Sequence, residues 1–133
     1  MATEILVNDG GAPARIIPII ANEAITAGDA IGLVHVASGN AKAIQLDSAD
    51  TSVFFVGVAL ADAAADAVCN VVTGRGVVCM INAADVNGGV GLMASTTDGQ
   101  LTTYADGTEL YRDPVALTLE DNGAAGLTKC LIL

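Results

Sequence analysis

Aromatic and basic side chains are what this chain has least of. Trp is absent and Phe and Tyr number two each, so aromatics make up 3% of 133 residues. The core must therefore be built from Val, Ile, Leu and Ala, and the aromatic anchors of small tight interfaces are nearly missing. Lys and Arg total 5 against 15 Asp and Glu, a net charge of −10. A surface this negative repels phosphate and offers no cationic cluster to displace counterions. Nucleic acid is excluded as a partner on that ground, and so is an anionic membrane. The acidity suits a surface facing solvent or high salt.

Other shortages narrow the chemistry. His35 is the single histidine, so a histidine-based metal cluster or relay is ruled out. It is read as a structural or surface residue, and no local signature supports a dyad between it and a cysteine. No serine sits in a G-x-S-x-G turn. The three cysteines, Cys69, Cys79 and Cys130, fit no zinc spacing. They are read as small apolar fillers in strands, with a Cys69–Cys79 hairpin disulfide as the alternative. No apolar run approaches the ~18 residues of a membrane-spanning helix. The start, MATEILVNDGG, lacks a basic region and a long apolar stretch, so the expectation is a protein made and used without Sec export.

What is present is a succession of short apolar runs bounded by Gly, Asp, Asn and Ser. They cover 3–7, 14–20, 30–36, 41–46, 53–60, 67–72, 76–81, 89–94, 100–104, 114–119 and 127–133. Helical periodicity is weak, and its best stretch, ALADAAADA at 59–67, is short. Glycine turns at SGN (38–40), Gly74-Arg75-Gly76, TDGQ (97–100) and ADG (105–107) separate several of the runs. Eleven short strands so spaced predict an all-β fold, a small barrel or sandwich of antiparallel strands.

Pro18 interrupts RIIPII and confines that run to an edge strand or an extended arm. Residues 1–22 are expected to form an extended apolar arm lying on a neighbour, and 23–133 a single barrel-like domain. The side chains assigned to that partner interface are Ile5, Leu6, Val7, Ile16, Ile17 and Ile19. Arg75, at the tip of a turn, joins them as the cation best placed to meet a partner.

The chain also resembles itself. AGDAIGLVHVASGNAKAI (27–44) parallels NGGVGLMASTTDGQLTTY (87–104), and 56–72 parallels 113–133 through a shared VAL followed by an acidic, Ala/Gly-rich linker. The offsets are 57 to 60 residues, which reads as two related β-modules packed into one core.

Two pairs of acidic residues are candidates for chemistry. Asp62 and Asp66 flank three alanines, and Asp47 and Asp50 flank Ser-Ala. Neither stretch supplies the five or six ligands of a calcium loop, so both are read as solvated loop residues. GRG at 74–76 precedes valines rather than the Lys and helix of a phosphate-binding loop. The residues thus point to no catalytic group, no metal and no cofactor.

The order ITAGDAIGLV (25–34), GNAKAI (39–44), FVGVALADAAADAVCNVVTGRGVV (55–78) resembles the capsid decoration, or cement, proteins of tailed bacteriophages, including small trimeric head decoration proteins. Ala27, Gly28, Asp29, Gly57, Val58, Gly74, Arg75, Gly76 and Val77 carry the likeness. They form turns and fill strands, so they imply a fold and not an active site. The strong acidity and the apolar arm depart from the pattern. The resemblance implies a non-enzymatic structural protein on the outer surface of a virion. Its partner would be the major capsid protein, whose subunits it would clamp together as a homotrimer. Two other readings stand beside it. One is a carbohydrate- or host-binding β-module of a tail or fibre, which would stack sugars on Tyr104 or Tyr111, Phe54 and Phe55 being assigned to the core. The other is a small enzyme or ligand-binding barrel, which needs a pocket of convergent polar groups.

Overall fold

Ten short strands, and no helix among the described residues, make up a computed structural model that describes residues 4–7, 13–37, 39–49, 54–105 and 114–133. The strands are β1 (Arg15–Ile20), β2 (Ala30–Val34), β3 (Lys42–Gln45), β4 (Phe55–Ala59), β5 (Val68–Thr73), β6 (Val78–Ala83), β7 (Gly91–Ala94), β8 (Leu101–Thr103), β9 (Ala116–Thr118) and β10 (Gly126–Ile132). Positive φ at Gly39 (99°) and Gly99 (73°) closes the β2–β3 and β7–β8 turns, as the sequence expects. ALADAAADA is a turn-rich connection rather than a helix, held by a bridge between Ile25 and Ala63.

The first five strands form a sheet in the order β1-β5-β4-β2-β3, and the last five follow β6-β10-β9-β7-β8 and close on themselves. The second order is the first with five added to every label. The registers also agree, pair for pair. Ile31 lies opposite Gly57 and Gln45; Leu92 lies opposite Ala116 and Thr103. Val58 faces Val72 as Leu117 faces Leu131. Ile17 faces Val71 as Cys79 faces Cys130. Closure is shared too. A parallel bridge joins Ala21 to Ala43 in the first module and Ala83 to Leu101 in the second. Beside them Asn22 N–H donates to Ala43 O, and Ala84 N–H to Leu101 O, each at 2.8 Å. The all-β sandwich expected from the sequence is thus two copies of one five-stranded module laid against each other.

Side-chain alternation places the interiors. Ala21, Ile25, Ile31, Ala43, Ala59, Ala63, Cys69 and Val71 form a closed cluster inside the first module. The equivalent positions of the second are Ala83, Val86, Leu92, Leu101, Thr118, Asn122, Thr128 and Cys130. Thr118, Asn122 and Thr128 of the second module thus stand where the first has two alanines and a cysteine. The polar trio is bonded internally: Asn122 Nδ2 donates to Thr128 Oγ1 (2.8 Å) and Ala84 O (2.6 Å), and Thr118 Oγ1 to Asn87 O (2.6 Å). A second buried cluster joins the modules, running from Ala30, Ile44, Leu46, Val58 and Val72 of the first into the body of the second.

The expected arm is paired within its own chain. Arg15–Ile20 runs along the whole of β5 as the edge strand β1. Leu6 bridges Cys79; Met80 N–H donates to Ile5 O (2.8 Å) and Val7 N–H to Val78 O (3.1 Å). Unpaired backbone groups on β6 find partners this way, and Ile5 is 2% exposed, buried by its own chain rather than by a neighbour.

Candidate interaction surface

The aspartates that could have done chemistry hold turns and backbone instead. Asp62 Oδ1 accepts from Ala27 N–H (2.8 Å), and Asp121 from Gly88 N–H at the equivalent place in the second module. Asp47 closes its own turn onto Ala49 N–H (2.8 Å), and Asp66 pairs with Lys42 at 2.9 Å. Asp50 lies outside the described residues. His35 is exposed just beyond β2. Among the described residues no three His, Cys, Asp or Glu side chains converge on a possible metal position.

The cysteines are free thiols, all buried. Cys69 and Cys79 belong to different modules, which removes the hairpin disulfide; Cys79 lies opposite Cys130 instead. Burial pushes Cys79 up to about 11, and burial, with help from Glu120 and Cys79, pushes Cys130 up to about 12. Cys69 is raised by burial and by the charge of Asp29. Thiols held protonated are poor nucleophiles and poor metal ligands.

Asp29, from the GD of the first β2 turn, is 3% exposed and works at the junction of the modules. Its carboxylate accepts from Thr26 N–H (2.9 Å), Gln45 Nε2 (2.8 Å) and, across the junction, Asn82 Nδ2 (3.4 Å). Next to it Asn82 N–H donates to Gly28 O, Ala30 N–H to Gly99 O and Gly99 N–H to Leu46 O. Gly28 is at φ +90°, and a Cβ there would lie 2.2 Å from Leu127 Cδ2. Only glycine permits both the turn and the close approach of the second module. Nothing in the sequence marked Asp29 or Gly28 as a junction, because their partners lie some 50 to 100 residues downstream.

Among the described residues the surface includes two open hollows and an apolar strip. One hollow, about 500 Å³, is lined by Arg75, Gly76, Pro114, Leu131, Ile132 and Leu133. The other, about 370 Å³, includes Ser48, Ser95, Thr96, Thr97 and Gln100 and presents no charged side chain. The strip is made by Ile16 and Ile20 of β1 with Val68 of β5; Ile17, also exposed, is on the other face of β1. Of the expected interface residues, then, Ile16 and Ile17 are exposed, Ile19, Leu6 and Val7 half-buried and Ile5 buried. Arg75 is exposed and lines the first of these hollows. Phe54, expected in the core, is 73% exposed; Phe55 is half-buried against the core. Tyr104 is half-buried, and Tyr111 lies outside the described residues.

No protein-family model matches the sequence, and no curated protein does. The fold is similar to a solved structure, the head fiber gp8.5 N base of bacteriophage phi29. The match has a TM-score of 0.66 at 13% identity and covers 91% of this chain and 95% of that one.

Proposed function

We propose that this chain is a non-enzymatic structural protein of a bacteriophage head, held on the outer surface of the capsid. The observation that carries the reading is the likeness to the phi29 head fiber base, which spans both modules of nearly the whole chain. The finer reading is a decoration or cement role, in which the protein braces neighbouring major capsid subunits as a homotrimer. Three further features support it. Asp62 and Asp47 hold backbone in place, the three thiols are buried, and an apolar strip on β1 and β5 is exposed to a protein partner. Weak contacts suffice for such a brace when several copies engage together.

The test is the particle itself. Mass spectrometry of purified heads of the encoding virus should find the chain in fixed ratio to the major capsid protein, and an antibody should label the outside of intact heads. Absence from heads, or location on the tail alone, overturns the reading.

A further inference from the structure

The two modules meet through unlike faces, and each of those faces has a less covered counterpart. On the first module the covered face is outward-pointing Ala30, Ile44, Leu46, Val58 and Val72, all buried. Their equivalents on the second module are Gly91, Thr102, Tyr104, Leu117 and Leu131, all only half-buried. What lies at the junction on the side of the second module is the outer side of β6, the start of β10 and the β7–β8 turn at Gly99. Leu127 sits against Gly28, and Asn82 binds Gly28 O and Asp29. The equivalents of Val78, Asn82 and Leu127 on the first module are Ile16, Ile20 and Val68. These are 50%, 40% and 54% exposed. They are the apolar strip.

Gly89 completes the correspondence. It is the equivalent of Gly28 and shares its left-handed φ (+81° against +90°). Where Gly28 has Leu127 pressed on it, Gly89 has open space within 4 Å. A turn shaped to admit a neighbour is therefore present in both modules and filled in one.

We infer that a second copy of this chain docks its Ile16–Ile20–Val68 strip on the Gly89–Leu117–Leu131 face of the first, repeating between molecules the junction that joins the modules within one. The inference gives the partner surface for the homotrimer of the proposed function but rests on the duplication alone. Two unlike faces make a heterologous contact, which closes into a ring or runs on as a chain according to its rotation. Val68 takes the part of Leu127 over Gly89, and Ile20 takes the part of Asn82 beside Val90, the equivalent of Asp29.

A mixed-cysteine experiment reads this contact without any capsid. The three native thiols are buried and held protonated, so they give little background. Ile20→Cys and Val90→Cys proteins, mixed and oxidised, should form a disulfide-linked heterodimer, and neither should cross-link alone. Adding Val68→Glu to the Ile20→Cys protein should abolish the cross-link while the melting temperature stays that of the parent. Cross-linking of Ile20→Cys with itself would mean a two-fold contact and overturn the inference. So would a mixture that never cross-links, with wild-type protein sedimenting as a monomer at about 100 μM. Either failure leaves the capsid reading standing, and loss of capsid binding leaves the cross-link standing.

Discussion

Pro18 and Met80 occupy the same place in the two modules. Pro18 lies opposite Asn70 on the edge strand β1, and Met80 lies opposite Lys129 on β6. Met80 N–H donates to Ile5 O, and through that bond the chain's first apolar run is added to the sheet. Ala21 N–H points toward β5, to Ala67 O, so two-residue alternation turns position 18 away from it. The proline removes the donor that at Met80 holds the added strand on β6, and so blunts an open edge.

Pro18→Val restores that donor on a β-favouring side chain. The expected outcome is a protein of near-parental thermal stability that self-associates through β1 into large species, seen by light scattering. Unchanged scattering would show that the proline has no protective role.

The interior of the second module makes a different prediction. Asn122 serves three groups: Ala84 O, Thr128 Oγ1 and, through Oδ1, Val86 N–H at 3.0 Å. Asn122→Ala strands them and should cost about 1–3 kcal/mol in denaturant melts. The first module solves the same positions with Ala63 and Cys69. Asn122→Ala combined with Thr128→Cys should therefore recover part of the loss, and a double variant no better than the single contradicts the equivalence.

Gly28 and Gly89 separate turn strain from module docking. Alanine at either position meets an unfavourable left-handed backbone, a cost of about 1 kcal/mol or more. At Gly28 the new methyl also displaces Leu127; at Gly89 it enters open space. Gly28→Ala should be the more destabilising by at least about 1 kcal/mol. Equal losses would mean the junction is not tightly packed at Gly28.

The thiols give a pH dependence. Cys79 and Cys130 are raised in the folded protein to about 11 and about 12 from an ordinary value of 9.0. Above pH 9 the unfolded chain loses these protons while the folded chain keeps them. The contribution is thus complete below pH 9 and is lost as pH rises toward 11–12. Each thiol adds a downward slope of up to about 1.4 kcal/mol per pH unit in that window. Cys130→Ala should flatten the decline, and a thiol reagent at pH 8 should find no reactive cysteine until the protein unfolds.

The strands and the turns were legible in the sequence, because alternation and glycine act locally. Pro18 marks the apolar run at 14–20 as an edge strand or an arm, and the structure makes it the edge strand β1 rather than the expected arm. The duplication was legible only in outline. Matching VAL at 58–60 with VAL at 115–117 sets an offset of 57, whereas Val58 is the equivalent of Leu117. Likewise the Ile31-Gly32-Leu33 run aligns by eye with Val90-Gly91-Leu92, while Ile31 is the equivalent of Leu92. Both matches are off by two. A slip of two residues keeps every side chain on its own face, so an inside–outside pattern cannot detect it. Ile5 and Phe54 were misplaced for another reason. Ile5 is buried by β6, about 75 residues downstream, and Phe54 stands outside just before β4; no local pattern carries either fact.

The central claim is that this protein attaches to the outside of a virus head. It is tested most directly by mixing the purified chain with heads assembled without it, sedimenting the heads, and following their thermal disruption. The account predicts saturable binding at a fixed number of copies per head and disruption at a higher temperature. Protein that stays in the supernatant, with heads melting as before, would contradict it.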